Sequence, residues 1–316
     1  MSINIGDQLD HYRIDSLVSS SNTTSTFRAT DLRTNQLVAL KIPHPEAESD
    51  VSFFDRFRRE EEIGQTLSHP GLLKLHLSEH PSKTYLVTDW FEGQSLLGIL
   101  SQERKLSQER AIRIAIEVCE VLEYIHNHGV VHRNLRPENI LVGAEDRVKL
   151  TDFGAAAKEG SPRLTFTSLA QLVGASAYIA PEELSGKRGD ARSDIYSLGV
   201  ILYEMLTGVT PFEGSDPFDR LLQHPVPPRE IDPSISPQLQ EVIYRALERA
   251  HKNRYASAHE FAHDLAHLDQ VGVADRIELR DWRKNRRPGA GRILLYAALA
   301  LIPILIFGLL LYYSRH

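Results

Sequence analysis

"VHRNLRPENIL", Val131–Leu141, looks like a loop built for catalysis whose central acid has been taken out. Asn134 stands where a reaction on a hydroxyl group would want a carboxylate. The stretch leaves three readings open: an enzyme, a crippled enzyme, or a binding module in an enzyme's fold.

The flanks show how such a loop would be held. Upstream, "SQERAIRIAIEVCEVLEYIHNH" is apolar on most faces, as a central helix of a large lobe should be, and "SDIYSLGVILYEMLTG" further on has the same character. Downstream, "NILVGAEDRVKLTDFG" predicts two short strands joined by a turn. The first 90 residues read mainly as strands, with "QLVALKI" and "KTYLVTDWF" the clearest. Between those two, "VSFFDRFRREEEIGQTL" predicts one helix with an apolar and a charged side. "HPVPPREIDPSISP" predicts a Pro-rich surface loop, and the folded part is expected to end near Leu268. A small β lobe followed by a larger α lobe is the architecture implied.

Composition narrows the partners. A net charge of -6 argues against nucleic acid as the main partner. The single cysteine, Cys119, excludes an internal disulfide and sits in an apolar run as a small buried hydrophobe. "MSINIGDQLDHYRIDSL" has no basic start and no sustained apolar core, so no cleavable signal peptide is expected. The other end differs: "ILLYAALALIPILIFGLLLYY", Ile293–Tyr313, is uncharged. As a helix it would reach about 30 Å, the thickness of a bilayer's hydrocarbon core. Arg283, Lys284, Arg286, Arg287 and Arg292 crowd its N-terminal flank in the linker 269–292, against Arg315 in the tail 314–316. The positive-inside rule then predicts a single-pass C-terminal anchor in the inner (cytoplasmic) membrane, with the preceding domain cytoplasmic.

"VALK" ends a strand at Lys41, and Glu60 lies 19 residues later on the predicted helix. Asn139 precedes Asp152 of "TDFG" by 13 residues, which places an amide and a carboxylate where Mg²⁺ ligands would be useful. With "HP" at His69-Pro70, "YIAPEE", "SDIYSLGVILYEMLTGVTPF" and Arg254 in "NRYAS", these motifs fall in one order. From about His11 to Leu268 the chain resembles a bacterial, eukaryotic-like (Hanks-type) serine/threonine protein kinase. The resemblance implies an α+β bilobal fold, with a small β-rich N-lobe over 11–91 and a large α-helical C-lobe over 92–268. To this the apolar span adds a C-terminal transmembrane helix over 293–313. It also implies ATP and Mg as cofactors. Lys41 and Glu60 would hold the α- and β-phosphates, and Asn139 and Asp152 the metal. The adenine would meet the backbone at Asp89 and Phe91, between Val18, Ala39 and Leu141. Asp194 would brace the catalytic loop, and Glu182 and Arg254 would form a structural ion pair. Arg133 would receive a phosphate added at Thr165, Thr167 or Ser168.

The departures from the family pattern cluster around the chemistry. Asn134 replaces the Asp that accepts the substrate proton, and Arg136 replaces the Lys that contacts the transferred phosphate. Ala175 replaces a Thr that ties those two positions together. Ser19, Ser21 and Thr24 stand at the three glycine steps of the phosphate loop, and Thr26 at the Val that roofs the adenine, so a loose lid is expected. The expected function is a membrane-anchored pseudokinase that binds ATP weakly and presents its shape to a protein partner at the membrane. A low-activity serine/threonine kinase and a nucleotide-free scaffold are the alternatives.

Overall fold

The computed structural model describes residues 3–47, 50–78, 80–158, 177–212, 221 and 223–276. The N-lobe is a six-stranded antiparallel sheet plus one helix. Its strands are β1 (Gln8–Leu9), β2 (Tyr12–Ser20), β3 (Thr24–Asp31), β4 (Leu37–Pro43), β5 (Leu75–His76) and β6 (Leu86–Asp89), in the order β1-β2-β3-β4-β6-β5. Period-two alternation sorts β4 cleanly. Val38, Leu40 and Ile42 are buried with Tyr12, Ile14, Phe27, Ala29 and Val87. Ala39 and Lys41 therefore share the opposite face.

Helix α1 (Val51–Thr66) follows the same logic at the helical period. Asp50 caps its N-terminus by accepting from the Ser52 N–H at 2.9 Å. Phe53, Phe57 and Ile63 are its buried residues. Glu60 lies three residues beyond Phe57 and three before Ile63, so the apolar stripe carries a carboxylate inward.

The C-lobe is helical. Strand β7 (Gly93–Ser95) leads into α2 (Leu96–Glu103) and the long α3 (Gln108–Asn127). Strands β8 (Val130–Val131), β9 (Ile140–Gly143), β10 (Val148–Leu150) and β11 (Ala157–Lys158) frame the loop of interest. Beyond them come α4 (Pro181–Leu184), α5 (Ala191–Thr207), α6 (Pro228–Ile231), α7 (Pro237–Ala246) and α8 (Ala258–Ala266). Helix α5 opens on a capping box between Asp190 and Ser193 and closes on Gly208 at φ 77°, where a Cβ would be strained. Nearly every residue between is buried, so α5 is the axis of the lobe, with α3 and α7 packed on it and α8 packed on those two. Fully buried Ile114, Leu122, Ile125 and Ile201 belong to that core, and each is worth roughly 1.5–3 kcal/mol relative to exposure.

Cys119 is fully buried in α3, and burial pushes its thiol well above the ordinary range, as suits an inert core residue. The 224–237 segment lies largely at the surface, as expected, but is anchored by its apolar residues. Pro225, Pro227, Pro228 and Ile235 are buried, residues 228–231 form a helical turn, and the Tyr203 hydroxyl on α5 donates to the Val226 carbonyl at 3.0 Å. Proline rings make apolar surface that packs once a helix is there to receive them. The last regular turn spans Leu268–Gln270, and a second unit runs from Val273, of which only 273–276 are described. The basic flank 283–292 and the apolar span 293–313 lie outside the described residues. Among the described residues no helix is long and apolar enough to cross a membrane.

Candidate functional site

Strand β4, helix α1 and the turn after β10 converge on one ammonium group. Lys41 Nζ donates to Glu60 Oε2 at 2.7 Å and to Asp152 Oδ1 at 3.2 Å. Burial works against the Lys41 charge, but the two carboxylates outweigh it and hold its pKa above the usual range. Two of its three N–H groups are thereby used, leaving one for the cleft. Helix α1 is fixed in this position from a second direction, since Arg59 donates to the Ala156 carbonyl at 3.2 Å.

The quoted loop supplies the other wall. Asp152 adopts a left-handed conformation at φ 64°, as does Arg133 at φ 62°, and a side chain is held there only when its surroundings over-determine it. Around Arg133 the surroundings are visible. Asp194, fully buried on α5, accepts from the backbone N–H groups of His132 and Arg133, each at 2.8 Å, and from His126 Nε2 at 2.8 Å. Burial raises the Asp194 pKa, but the His126 hydrogen bond and the facing histidines win and hold it below the ordinary range. His132 packs its ring 4.8 Å from that of Phe153, so the loop and the "DFG" turn are clasped to each other.

Asn134 points at Asp152. Its Nδ2 donates to Asp152 Oδ2 at 2.7 Å. Nitrogen must be the atom facing the carboxylate, because the amide oxygen would set two acceptors together. Asn139 Nδ2 donates to the Asn134 carbonyl at 2.8 Å and lies 3.4 Å from the same Asp152 oxygen. Burial opposes ionisation of Asp152, yet Lys41, His132 and the Asn134 bond hold its pKa below the usual carboxylate range.

The remaining expected residues divide. Glu182 and Arg254 meet as a two-pronged pair with both N–O distances at 2.7 Å. Ala39 pairs with Thr88 and Val38 with Asp89 in the sheet, and Leu141 lies on β9 opposite Lys149. Phe91 closes against Gly93 and Gly143, where a Cβ would come within 2.7 Å and 2.6 Å of its ring. Val18 falls at a register shift in β2 and is 51 % exposed. Arg136 is drawn sideways: its Nε donates to Glu138 Oε2 at 2.8 Å and a second nitrogen meets Glu138 Oε1. Thr165, Thr167, Ser168 and Ala175 lie outside the described residues.

Ser21 closes the phosphate-loop position on itself. Its hydroxyl accepts from the N–H groups of Thr23 at 3.2 Å and Thr24 at 3.1 Å. The lid expected to be loose is therefore a pinned turn whose amides already have an acceptor.

Arg133 has a partner that its motif did not foretell. Its Nε lies 3.4 Å from Glu183 Oε1, with both side chains nearly inaccessible, so a protein carboxylate already faces the expected phosphate receiver. The second Glu of "PEE" was the available signal, but only its neighbour Glu182 has a place in the family pattern. Burial pushes the Glu183 pKa up to about 7, against the pull of Arg133 and with the help of Asp194 and Glu182. A carboxyl whose pKa is higher folded than unfolded contributes stability that is fully present below its unfolded value. That contribution is lost as pH rises through the folded value. The window thus runs from about pH 4.3 to 7. Glu183→Gln should flatten the fall in stability across it by on the order of 2 kcal/mol relative to the parent, read by urea denaturation at each pH.

The protein kinase domain family matches residues 12–266. Serine/threonine-protein kinase PknB of Mycolicibacterium smegmatis is 34 % identical over 245 residues, 75 % of this chain and 39 % of that protein. The protein of the same name from Mycobacterium leprae is 33 % identical over 245 residues, again 75 % of this chain and 39 % of the relative. The chain thus spans about two fifths of the length of these curated relatives. Among solved structures, the Mycobacterium tuberculosis PknI kinase domain superposes with a TM-score of 0.66 at 23 % identity, covering 84 % of this chain and 100 % of that one, a likeness of fold. The chain belongs to the protein kinase family, in its bacterial serine/threonine branch.

Proposed function

We propose that this chain is a pseudokinase: a nucleotide-binding member of the kinase family in which phosphoryl transfer is suppressed and the output is binding to a protein partner. The observation that carries this is the 2.7 Å bond from Asn134 Nδ2 to Asp152. At the position where the family uses a base, this chain holds a hydrogen-bond donor already committed to a neighbouring carboxylate. An amide takes no proton near neutral pH, and removing a general base costs roughly 10²- to 10⁴-fold, or about 3–5 kcal/mol of barrier. Arg136, held by Glu138, is not free to follow a transferring phosphate.

The nucleotide half of the proposal rests on Lys41, Glu60 and Asp152, whose charges form a closed set facing the cleft. Keeping them there has a desolvation cost unless a ligand or water fills the cleft, and the remaining Lys41 N–H is the group that would meet a phosphate. Where metal is bound, Asn139 and Asp152 would hold it, both being hard oxygen donors, and it would supply charge neutralisation to the phosphates. The apolar span 293–313 and its basic flank support an anchor at the cytoplasmic face of the inner membrane, where the partner would be met.

Thermal melting of the full chain in mild detergent, with and without ATP, tests the binding half. Saturating ATP should raise Tm by about 2–5 °C, since any ligand of the folded state stabilises it. No shift at millimolar ATP would leave a nucleotide-free scaffold. Labelled-ATP transfer to general protein substrates tests the other half. The assembled Lys41–Glu60–Asp152 contacts favour a slow kinase as the second reading. Brisk transfer abolished by both Lys41→Ala and Asp152→Ala would establish it.

A further inference from the structure

Asp152 is the carboxylate on which a metal-dependent nucleotide site would depend, and its lone pairs are largely spoken for. Oδ1 accepts from Lys41 at 3.2 Å, and Oδ2 accepts from Asn134 at 2.7 Å with Asn139 Nδ2 at 3.4 Å from the same atom. A carboxylate offers about four acceptor positions, so three donors leave little room for a cation. A divalent ion approaching Oδ2 would have to displace the Asn134 amide and strand its N–H in a half-buried site. Asn139 adds to this crowding through its nitrogen, which is shared between the Asn134 carbonyl and Asp152, so Asp152 and not the Asn139 oxygen is the ligand the bonding closes off.

An aspartate at position 134 would change the sign of this arrangement. Two carboxylate oxygens within hydrogen-bond reach cannot both stay ionised unless a proton or a cation comes between them. With asparagine the same gap is closed by a hydrogen bond, and Lys41, already shared between Glu60 and Asp152, faces one negative charge fewer. One residue thus removes one unit of the cleft's demand for external positive charge.

We infer that Asn134 is a positioning residue that makes this cleft a receptor for the metal-free nucleoside polyphosphate, with Mg²⁺ adding little to affinity. The inference rests on the nucleotide-binding reading and deepens it by naming the form of the ligand. Lys41, with its third N–H, is the cation left to meet the phosphates.

The test is equilibrium binding of a fluorescent N-methylanthraniloyl-ATP to the full chain in mild detergent, in excess EDTA and in millimolar Mg²⁺, with displacement by unlabelled ATP. The parent chain should show dissociation constants within about threefold of each other in the two conditions. Asn134→Asp should lose affinity in EDTA and regain it in Mg²⁺, opening a gap of more than about tenfold. Asn134→Ala, which removes the donor without adding charge, should open a smaller gap in the same direction and serves if the aspartate variant folds poorly. A purely structural role for Asn134 would weaken binding equally in both conditions. Depletion of free Mn²⁺, followed by its electron spin resonance signal, should be weak for the parent with ADP and stronger for Asn134→Asp.

Parent binding that appears only with Mg²⁺ overturns this inference and leaves nucleotide binding intact. Binding in neither condition overturns both. Equal gaps in all three chains would show that Asn134 is not the cause.

Discussion

Arg254→Ala should destabilise the folded chain by about 3–5 kcal/mol, seen as a lower urea midpoint with an unchanged slope. The size of the effect follows from how completely the guanidinium is enclosed and bonded. The Arg254 side chain is completely inaccessible. All five of its N–H groups are used: Nε donates to the Glu248 carbonyl at 2.7 Å, and the other two nitrogens reach both Glu182 oxygens and the carbonyls of Arg192 and Arg249. Truncation would leave Glu182 charged and unpaired in a site with 12 % side-chain exposure, which is why breaking such a pair costs more than the pair itself contributes. Lysine should rescue little, because its ammonium cannot reproduce a planar fork that spans a carboxylate and three carbonyls.

The deficit should also depend on pH. Burial alone would raise the Glu182 pKa, but Arg254 and Ser193 hold it below the ordinary range. A depressed carboxylate contributes stability that is present above its unfolded value and lost as pH falls through its folded value. The parent should therefore lose this advantage below about pH 4, where the gap between parent and Arg254→Ala narrows.

Asp194→Asn should be nearly as damaging, at about 3–4 kcal/mol. Its two oxygens accept three hydrogen bonds, and replacing one oxygen by NH₂ sets a donor against buried donors. The local signature distinguishes this from general weakening. Amide exchange at His132 and Arg133 should accelerate by more than that of α3, because those two N–H groups lose their acceptor while Arg133 remains in its left-handed conformation. Uniform acceleration across the C-lobe would argue that Asp194 acts on the fold as a whole and not on the loop.

Much of the scaffold was legible from residue order. The alternation of "LVALKIP" places Lys41 on the face opposite the Leu40 core, and the Phe53-Phe57-Ile63 stripe turns Glu60 inward, so their meeting follows from two periodicities. The Glu182–Arg254 pair and the Asp194 brace came from family resemblance, and both contacts are present. What was not legible were choices between partners made by side chains after packing. Arg136 could have faced the cleft, but Glu138, two residues away, offers a nearer acceptor. Arg133 could have waited for a phosphate, but the second carboxylate of "PEE" was folded against it. That Asn134 would be a donor to Asp152, and not simply a missing base, needed both side chains in place. The anchoring of the Pro-rich segment was hidden for another reason: proline signals irregular backbone, which says nothing of whether the rings are buried.

The turn at Ser21 bears on how quickly the cleft could empty. In a glycine-built flap, unsatisfied amides gain by curling over a bound phosphate, and that gain slows departure. Here Thr23 and Thr24 already have the Ser21 hydroxyl, so bending toward a guest would trade one acceptor for another with little net gain. A guest held without such a clasp would exchange on the timescale of diffusion and simple detachment. Its occupancy would follow the surrounding ratio of triphosphate to diphosphate from moment to moment, and the protein would act as a gauge of supply instead of a timer.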